Sequence, residues 1–229
     1  MQTIILDTET HTLNGLPIEI AYAPIQLLDG KLTLNKNQIF DQLYQVNEPI
    51  SYASMAVHHI LESDLIGQPE YTTFRLPAET QYIIGHNIDY DIQAIARCGV
   101  DVSQLKPICT LALARQVWPN AEAHNISALI YQISKGSTKA RELLKGAHRA
   151  DADIILTANI LMHIIAQLGI QSVEELYLAS EDARIPKTMT FGKHKGTAIA
   201  ELPADYVKWL LRQDELDPYL KSALENLGF

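Results

Sequence analysis

The feature that most restricts this chain stands at its start: MQTIILDTE, residues 1–9, in which the apolar run Ile4-Ile5-Leu6 is followed at once by Asp7 and Glu9. A short β-branched and aliphatic run reads as a buried strand of an α/β sheet. Residues i and i+2 of a strand point to the same side, so Asp7 and Glu9 can converge on one point. Two carboxylates so placed repel each other unless a proton or a cation lies between them. A divalent metal meets that condition if other residues complete its ligand set. Standing alone, the two acids fit equally well an ordinary polar strand end facing solvent.

The partners are sought along the chain. Residues 17–23 (PIEIAYA) alternate well enough for a second strand, Asp29-Gly30 supplies a turn, and residues 31–37 return as a third, so an antiparallel meander opens a mixed sheet. Glu19 is then an acid in an otherwise apolar strand; it either faces solvent or ties down a neighbouring backbone or side chain. Pro49, Pro69 and Pro77 divide residues 38–80 into short helices and loops, with 53–61 a helix carrying His58 and His59. YIIG at 82–85 reads as another inner strand, followed by HNIDYD at 86–91 and by Ile92, Ala94, Ile95 and Ala96 at helical spacing. Asp91 thus stands at a helix start, where an acid also serves as an ordinary cap. Residues 102–108 include a further strand limited by Lys106-Pro107, and helices fit 110–117, 124–132 and 139–145. From Ala150 a helical stripe runs through Ile154, Ala158, Leu161 and Ile165 until Gly169 stops it, with Asp153 on its inward flank and His148 in the loop before it.

At 229 residues the chain accommodates one full core and a small appendage. Composition shifts near 180–188: residues 172–179 read as the last helix of the main unit, Arg184-Ile185-Pro186 as a linker, and 187–229 as a module with two short strands around 193–196 and helices beginning near Pro203 and Pro218. Trp209, spaced from Tyr206 and Leu210 on the first of these helices, belongs by pattern to the core of that module. Arg184, Lys187, Lys193, His194 and Lys195 precede the next acid, Glu201, and form the clearest basic patch in a chain of formal net charge -9. That balance argues against gripping long nucleic acid through a broad basic face. It leaves room for an enzyme that acts on one strand end and whose acids are offset by bound cations. The basic stretch itself either holds phosphate or ties the tail down. No segment is apolar over the roughly eighteen residues that a membrane span requires; Asn159, His163 and Gln167 interrupt the nearest one. Cys98 and Cys109 offer neither a disulfide framework nor a paired zinc spacing, so a reduced, cytoplasmic setting is expected.

Asp7, Glu9, Asp91 and Asp153 are hard oxygen donors, suited to magnesium or manganese rather than zinc. With their order considered, DTETHTL at 7–13, HNIDYD at 86–91 and HRADAD at 148–153 resemble the three motifs of the DEDD exonucleases, in the branch whose last motif is His, four residues, Asp. AVHHIL at 56–61, ICTLALARQVWP at 108–119 and the tail from TFGKHKG further resemble the exonuclease X subfamily, bacterial enzymes acting on DNA.

The resemblance implies a ribonuclease H-like α/β fold, a mixed sheet flanked by helices, with a catalytic domain over 1–180 and a small C-terminal strand-helix module over 187–229. It implies 3′–5′ hydrolysis at DNA 3′ ends, single-stranded at the cleavage site, with release of nucleoside 5′-monophosphates. Two Mg2+ ions, replaceable by Mn2+, would be held by Asp7, Glu9, Asp91 and Asp153, with His148 as general base. Leu13 would pack near the terminal base, His58 would line that pocket, and Thr8, Thr10, Asn87 and Tyr90 would complete the substrate contacts. There are departures. His11-Thr12 stands where Thr-Gly is common, Tyr90 replaces a phenylalanine, and Asp89 and Asp151 add acids beside the expected ligands. An RNA-trimming enzyme on the same scaffold stays open, because the 2′-OH is read by pocket shape rather than by the five catalytic positions. A nucleic-acid-binding module without turnover is the other alternative, and the sequence leaves the oligomeric state open.

Overall fold

The structure is a computed structural model that describes residues 2–189, 191–213 and 216–228; Met1, Thr190 at the head of the TFGKHKG stretch, Asp214, Glu215 and Phe229 lie outside the described residues. Two compact units are present, Met1–Ser180 and Glu181–Phe229.

The first unit is built on a six-stranded sheet: β1 (Gln2–Thr10), β2 (Pro17–Leu28), β3 (Lys31–Leu34), β4 (Phe40–Leu43), β5 (Thr80–Gly85) and β6 (Lys106–Cys109). The order is β3-β2-β1-β5-β6, with β4 also pairing β2. β1 runs antiparallel to β2 and parallel to β5. This mid-sheet place explains why Ile4, Ile5 and Leu6 have no exposed surface. The helices of this unit are α1 (Tyr52–His58), α2 (Ile88–Arg97), α3 (Thr110–Val117), α4 (Ile126–Ile133), α5 (Thr138–Leu143) and α6 (Ala150–Leu168), and α7 (Val173–Arg184) begins in it. α6 packs on β1 and β2 and receives α3 and α4 on its flanks. Against the sequence reading, which took Asn159, His163 and Gln167 to interrupt it, its length and mean hydropathy of 1.3 meet the requirement for a membrane span. Here that apolar surface is spent on the core, burying Ile154, Leu156, Ile160, Leu161, Ile164 and Ile165 until Gly169 caps the helix in a left-handed conformation.

Several elements differ from the sequence reading. β4 falls in the stretch expected to hold helices and loops; Phe-Asp-Gln-Leu has no pattern of its own and becomes a strand by pairing with the first half of β2, where Tyr22 stacks on Phe40 at 4.8 Å. β3 is shorter than expected, because residues 36–38 close into a 3-10 turn capped by Asn35. α1 stops at His58, since His59 turns left-handed at φ 59. Lys106-Pro107 opens β6 instead of limiting it, a place proline accepts because β6 ends the strand order and pairs only with β5. α7 continues through Arg184, so the expected linker begins later.

In the second unit Met189, Ile199, Leu202, Val207, Leu210, Leu220, Ala223 and Leu224 form a separate small core. It is organised by α8 (Ala204–Leu210) and α9 (Pro218–Glu225). The two strands expected around 193–196 reduce to one isolated bridge, Thr188 with Ala198, around a 3-10 turn at Gly192–His194. Arg184 is buried, its guanidinium 5.0 Å from the Tyr219 ring and bonded to the Tyr219 hydroxyl. It is therefore part of this unit's packing and not of an exposed basic patch.

Candidate active site

The C-terminal end of β1 delivers Asp7 and Glu9 to one side, as strand alternation requires. α6 brings Asp153 to them, so that one carboxylate oxygen from each of the three lies within 4.8 Å of the others. The Asp91 side chain lines the same cleft from α2 and is held by the Thr8 hydroxyl, which donates to Oδ1 at 2.8 Å. Thr8 points away from Asp7 and Glu9 along β1, so one strand end serves two groups of acids. The cleft has a volume of about 420 Å³ and is bordered also by His86, Asn87, Tyr90, Asn125, Ile126, Ser127 and His148.

Burial and mutual repulsion raise the acids of the site together. Burial, then the charges of Asp91, Asp153, Glu9 and Glu19, drive Asp7 well above the usual carboxylate range. Burial and the charges of Asp153 and Glu19 push Glu9 up to about 9. Burial raises Asp91 to about 7 against the opposing hydrogen bonds from Thr8. Asp153 rises to about 6, chiefly through burial, while the His148 amide and ring hold it down. Four acids that resist ionising together, with hard oxygens converging, fit a divalent cation.

His148 borders the cleft from the loop before α6, with a left-handed φ of 68, and its amide donates to Asp153 Oδ1 at 3.3 Å. That loop is fastened from β2. Glu19, with no exposed surface, accepts from Arg149 Nε at 2.9 and 3.2 Å, pairs with Arg149 Nη2, and accepts the Ala150 amide at 3.0 Å. Of the two roles open to Glu19 in the sequence, the structure shows the tether. Its residue partner could not be read in advance, because Arg149 lies 130 positions away.

The remaining expected contacts are placed unequally. Asn87, left-handed at φ 74, joins β5 to α2 and borders the cleft with Tyr90. Thr10 is buried, bonded to the Tyr90 hydroxyl and to the Thr12 carbonyl at 2.8 Å, and is not among the cleft-lining residues. Leu13 is 79% exposed on the β1–β2 loop. His58 is buried at the end of α1, its Nδ1 accepting the Ile60 amide at 3.0 Å. Burial holds its ring below the usual histidine range. The His11-Thr12 departure is also explained. The His11 ring folds inside the loop, where Nδ1 accepts the Leu16 amide at 2.8 Å and Nε2 meets Glu48 at 3.0 Å. A Cβ on Gly15 would lie 2.6 Å from that ring. The absence of a side chain at Gly15 leaves the space that the His11 ring fills.

Asn125, Ile126 and Ser127, at the start of α4, were not singled out in the sequence. The only local signal is the Asn125 cap, which accepts the Ala128 amide at 2.9 Å. Their arrival at the cleft depends on His86, whose Nε2 bonds to the His124 carbonyl at 2.7 Å while Nδ1 pairs with Thr110. Burial lowers His86 to about 4, so this strut is neutral at ordinary pH.

Comparison with known proteins gives a consistent result. The sequence model of a family described as Exonuclease matches residues 4–161, and one described as Putative quorum-sensing-regulated virulence factor matches residues 183–223. Exodeoxyribonuclease 10 of Escherichia coli strain K12 is 28% identical over 228 residues, 97% of this chain and 96% of that protein. A DNA polymerase III subunit epsilon-like protein of Rhodobacter capsulatus is 26% identical over 174 residues, 72% of this chain and 24% of that protein. Among solved structures, exonuclease X in complex with 5′ overhanging duplex DNA has a TM-score of 0.60 at 28% identity, covering 78% of this chain and 99% of that one. E. coli exonuclease I in complex with a dT13 oligonucleotide has a TM-score of 0.55 at 14% identity, covering 73% of this chain and 42% of that one, a likeness of fold. With a family match over residues 4–161, more than half of the chain, and the carboxylates of all three motifs on one cleft, the chain belongs to the exonuclease family as a DEDD-type member.

Proposed function

We propose that this protein is a divalent-metal-dependent 3′–5′ exodeoxyribonuclease that hydrolyses the terminal phosphodiester of a DNA strand and releases nucleoside 5′-monophosphates. The observation that carries the reading is the convergence of Asp7, Glu9 and Asp153 within 4.8 Å, beside Asp91 and His148 on one cleft. DNA as the substrate is supported by the relatives, one an exodeoxyribonuclease and one a structure holding duplex DNA.

Asp7, Glu9, Asp91 and Asp153 would hold two Mg2+ ions, or Mn2+ in their place. Bound there, such ions supply positive charge to the attacking and leaving oxygens of the phosphodiester. The chain's own residues do the rest. His148 takes the proton of the attacking water as the water oxygen bonds to phosphorus and the bond to the 3′-oxygen of the preceding nucleotide breaks, that oxygen leaving with the shortened strand and taking up a proton from solvent to become its 3′-hydroxyl. Glu19, through Arg149 and Ala150, keeps the His148 loop and the start of α6 in register with β1. Leu13 offers an apolar side chain to a base without selecting among bases. Asn87 and Tyr90 border the space for the terminal nucleotide, Thr8 steadies Asp91, and Thr10 steadies Tyr90 from behind. A cytoplasmic setting belongs to the same proposal and is supported by two cysteines that are free and buried.

The test is incubation of the protein with 5′-labelled single-stranded DNA, duplex DNA and RNA, with and without magnesium. A descending ladder on DNA that needs magnesium is the expected result. A ladder on RNA alone would replace the reading with that of a ribonuclease. His148→Ala is expected to slow turnover by about 10²- to 10⁴-fold, the scale of a lost general base, while Mn2+ affinity measured by calorimetry stays within a few-fold of wild type.

A further inference from the structure

The 181–229 unit carries a feature that the carboxylate cleft does not use. Trp209, expected in the unit's core, is instead 52% exposed. The core is complete without it, formed by Val207 and Leu210 from the same helix with Ile199, Leu202, Leu220 and Leu224. Trp209 stacks on Tyr206 with ring centroids 5.6 Å apart and planes inclined by 22°. On the same tyrosine lie the His194 ring at 4.4 Å and the Lys193 ammonium at 5.2 Å. The turn bearing Lys193 and His194 is fitted closely to this tyrosine. Gly192 has a φ of 67, and a Cβ there would stand 3.2 Å from the Tyr206 hydroxyl. The turn is also closed by backbone bonds, Met189 to Thr197 and Gly196 to Met189, each of 2.8 Å.

We propose that Trp209, Tyr206 and Lys193 form a stacking platform for single-stranded nucleic acid, a second binding site contained within the 181–229 unit. An exposed indole backed by a second ring, with an ammonium beside it, matches what a strand offers: a flat base and, across the sugar, a phosphate. The charge is of the right sign where it matters. Residues 183–200 include Lys187, Lys193 and Lys195 and no Asp or Glu, in a chain of net charge -9. Arg212 follows Trp209 by three residues, and Asp205 is the one acid within α8. The choice of nucleic acid over an acidic peptide rests on the reading of the first unit as a nuclease, whose substrate is a strand.

The experiment uses the full chain. Affinity for a 5′-fluorescein single strand of about 30 nucleotides is measured by anisotropy with chelator present, for wild type, Trp209→Ala, Trp209→Phe and Lys193→Glu. Hydrolysis of a trinucleotide with magnesium is followed separately. Trp209→Ala and Lys193→Glu are each expected to weaken binding about ten-fold, Trp209→Phe to stay within a few-fold of wild type, and Lys193→Glu also to reduce the salt dependence. All are expected to cleave the trinucleotide at the wild-type rate. Wild-type affinity in both Trp209→Ala and Lys193→Glu, or no binding by wild type, would overturn the platform. Loss of trinucleotide cleavage in wild type would overturn the nuclease reading instead, and the two failures are read on different assays.

Discussion

Glu19 faces Glu9 across the β1–β2 ladder and has no exposed surface, and its carboxyl oxygens accept from Arg149 and the Ala150 amide. Removing it strands both donors at the entrance to α6. Glu19→Ala is expected to cost about 2–3 kcal/mol in urea denaturation, the scale of lost hydrogen bonds to a charged group, and to lower turnover more than it raises KM, because His148 and Asp153 flank the tether. Glu9 sets a second expectation. Its carboxyl titrates at about 9 in the folded protein against 4.5 for the ordinary residue. The unfolded chain therefore releases this proton first as pH rises. The stabilising contribution is complete below about 4.5, is lost progressively toward 9, and Asp7 acts in the same direction. Metal-free protein should accordingly melt at lower temperature at pH 8 than at pH 5, and Mn2+ should raise the midpoint more at pH 8. Equal Mn2+ shifts at the two pH values would show that the acids do not share an ion.

At the scale of elements, the β1–β2 loop is the part whose shape depends on a single missing atom. His11 is pinned between Leu16 and Glu48, so it cannot give way to a Cβ on Gly15. Gly15→Ala is expected to destabilise by about 1–3 kcal/mol and to raise KM for short DNA several-fold by displacing Leu13, with a smaller change in kcat. The long elements were legible because each repeats its own signal. Ile4 to Glu9 announces both burial and the turn to chemistry, and the stripe from Ile154 to Ile165 with Gly169 defines α6 at both ends. Phe40 to Leu43 repeats nothing and needs β2 to become a strand. The Gly192 turn, expected as two short strands around 193–196, is instead a 3-10 turn packed on Tyr206. The carboxylates could be named from motif spacing, but Asn125 to Ser127 and the Arg149 tether are products of tertiary contact and left only weak local marks.

For the whole molecule, the two compact units carry different local clusters of charge, although the second holds Glu201, Asp205 and Asp217 beside its lysines. The first gathers acids that a cation would neutralise, and the second presents lysines on a turn free of acids. Deleting residues 186–229 should leave trinucleotide hydrolysis in place and slow the degradation of strands of about 30 nucleotides several-fold; uniform loss on both would assign the segment to folding. The same view gives α6 a meaning beyond its packing. Ala150–Leu168 is long and apolar enough to pass for a bilayer segment, and it leaves the ribosome only after every strand it will cover. In a nascent chain the strands that this helix covers are therefore already synthesised when it emerges. A chain order that brought the helix out first would leave its apolar face without the strands that cover it.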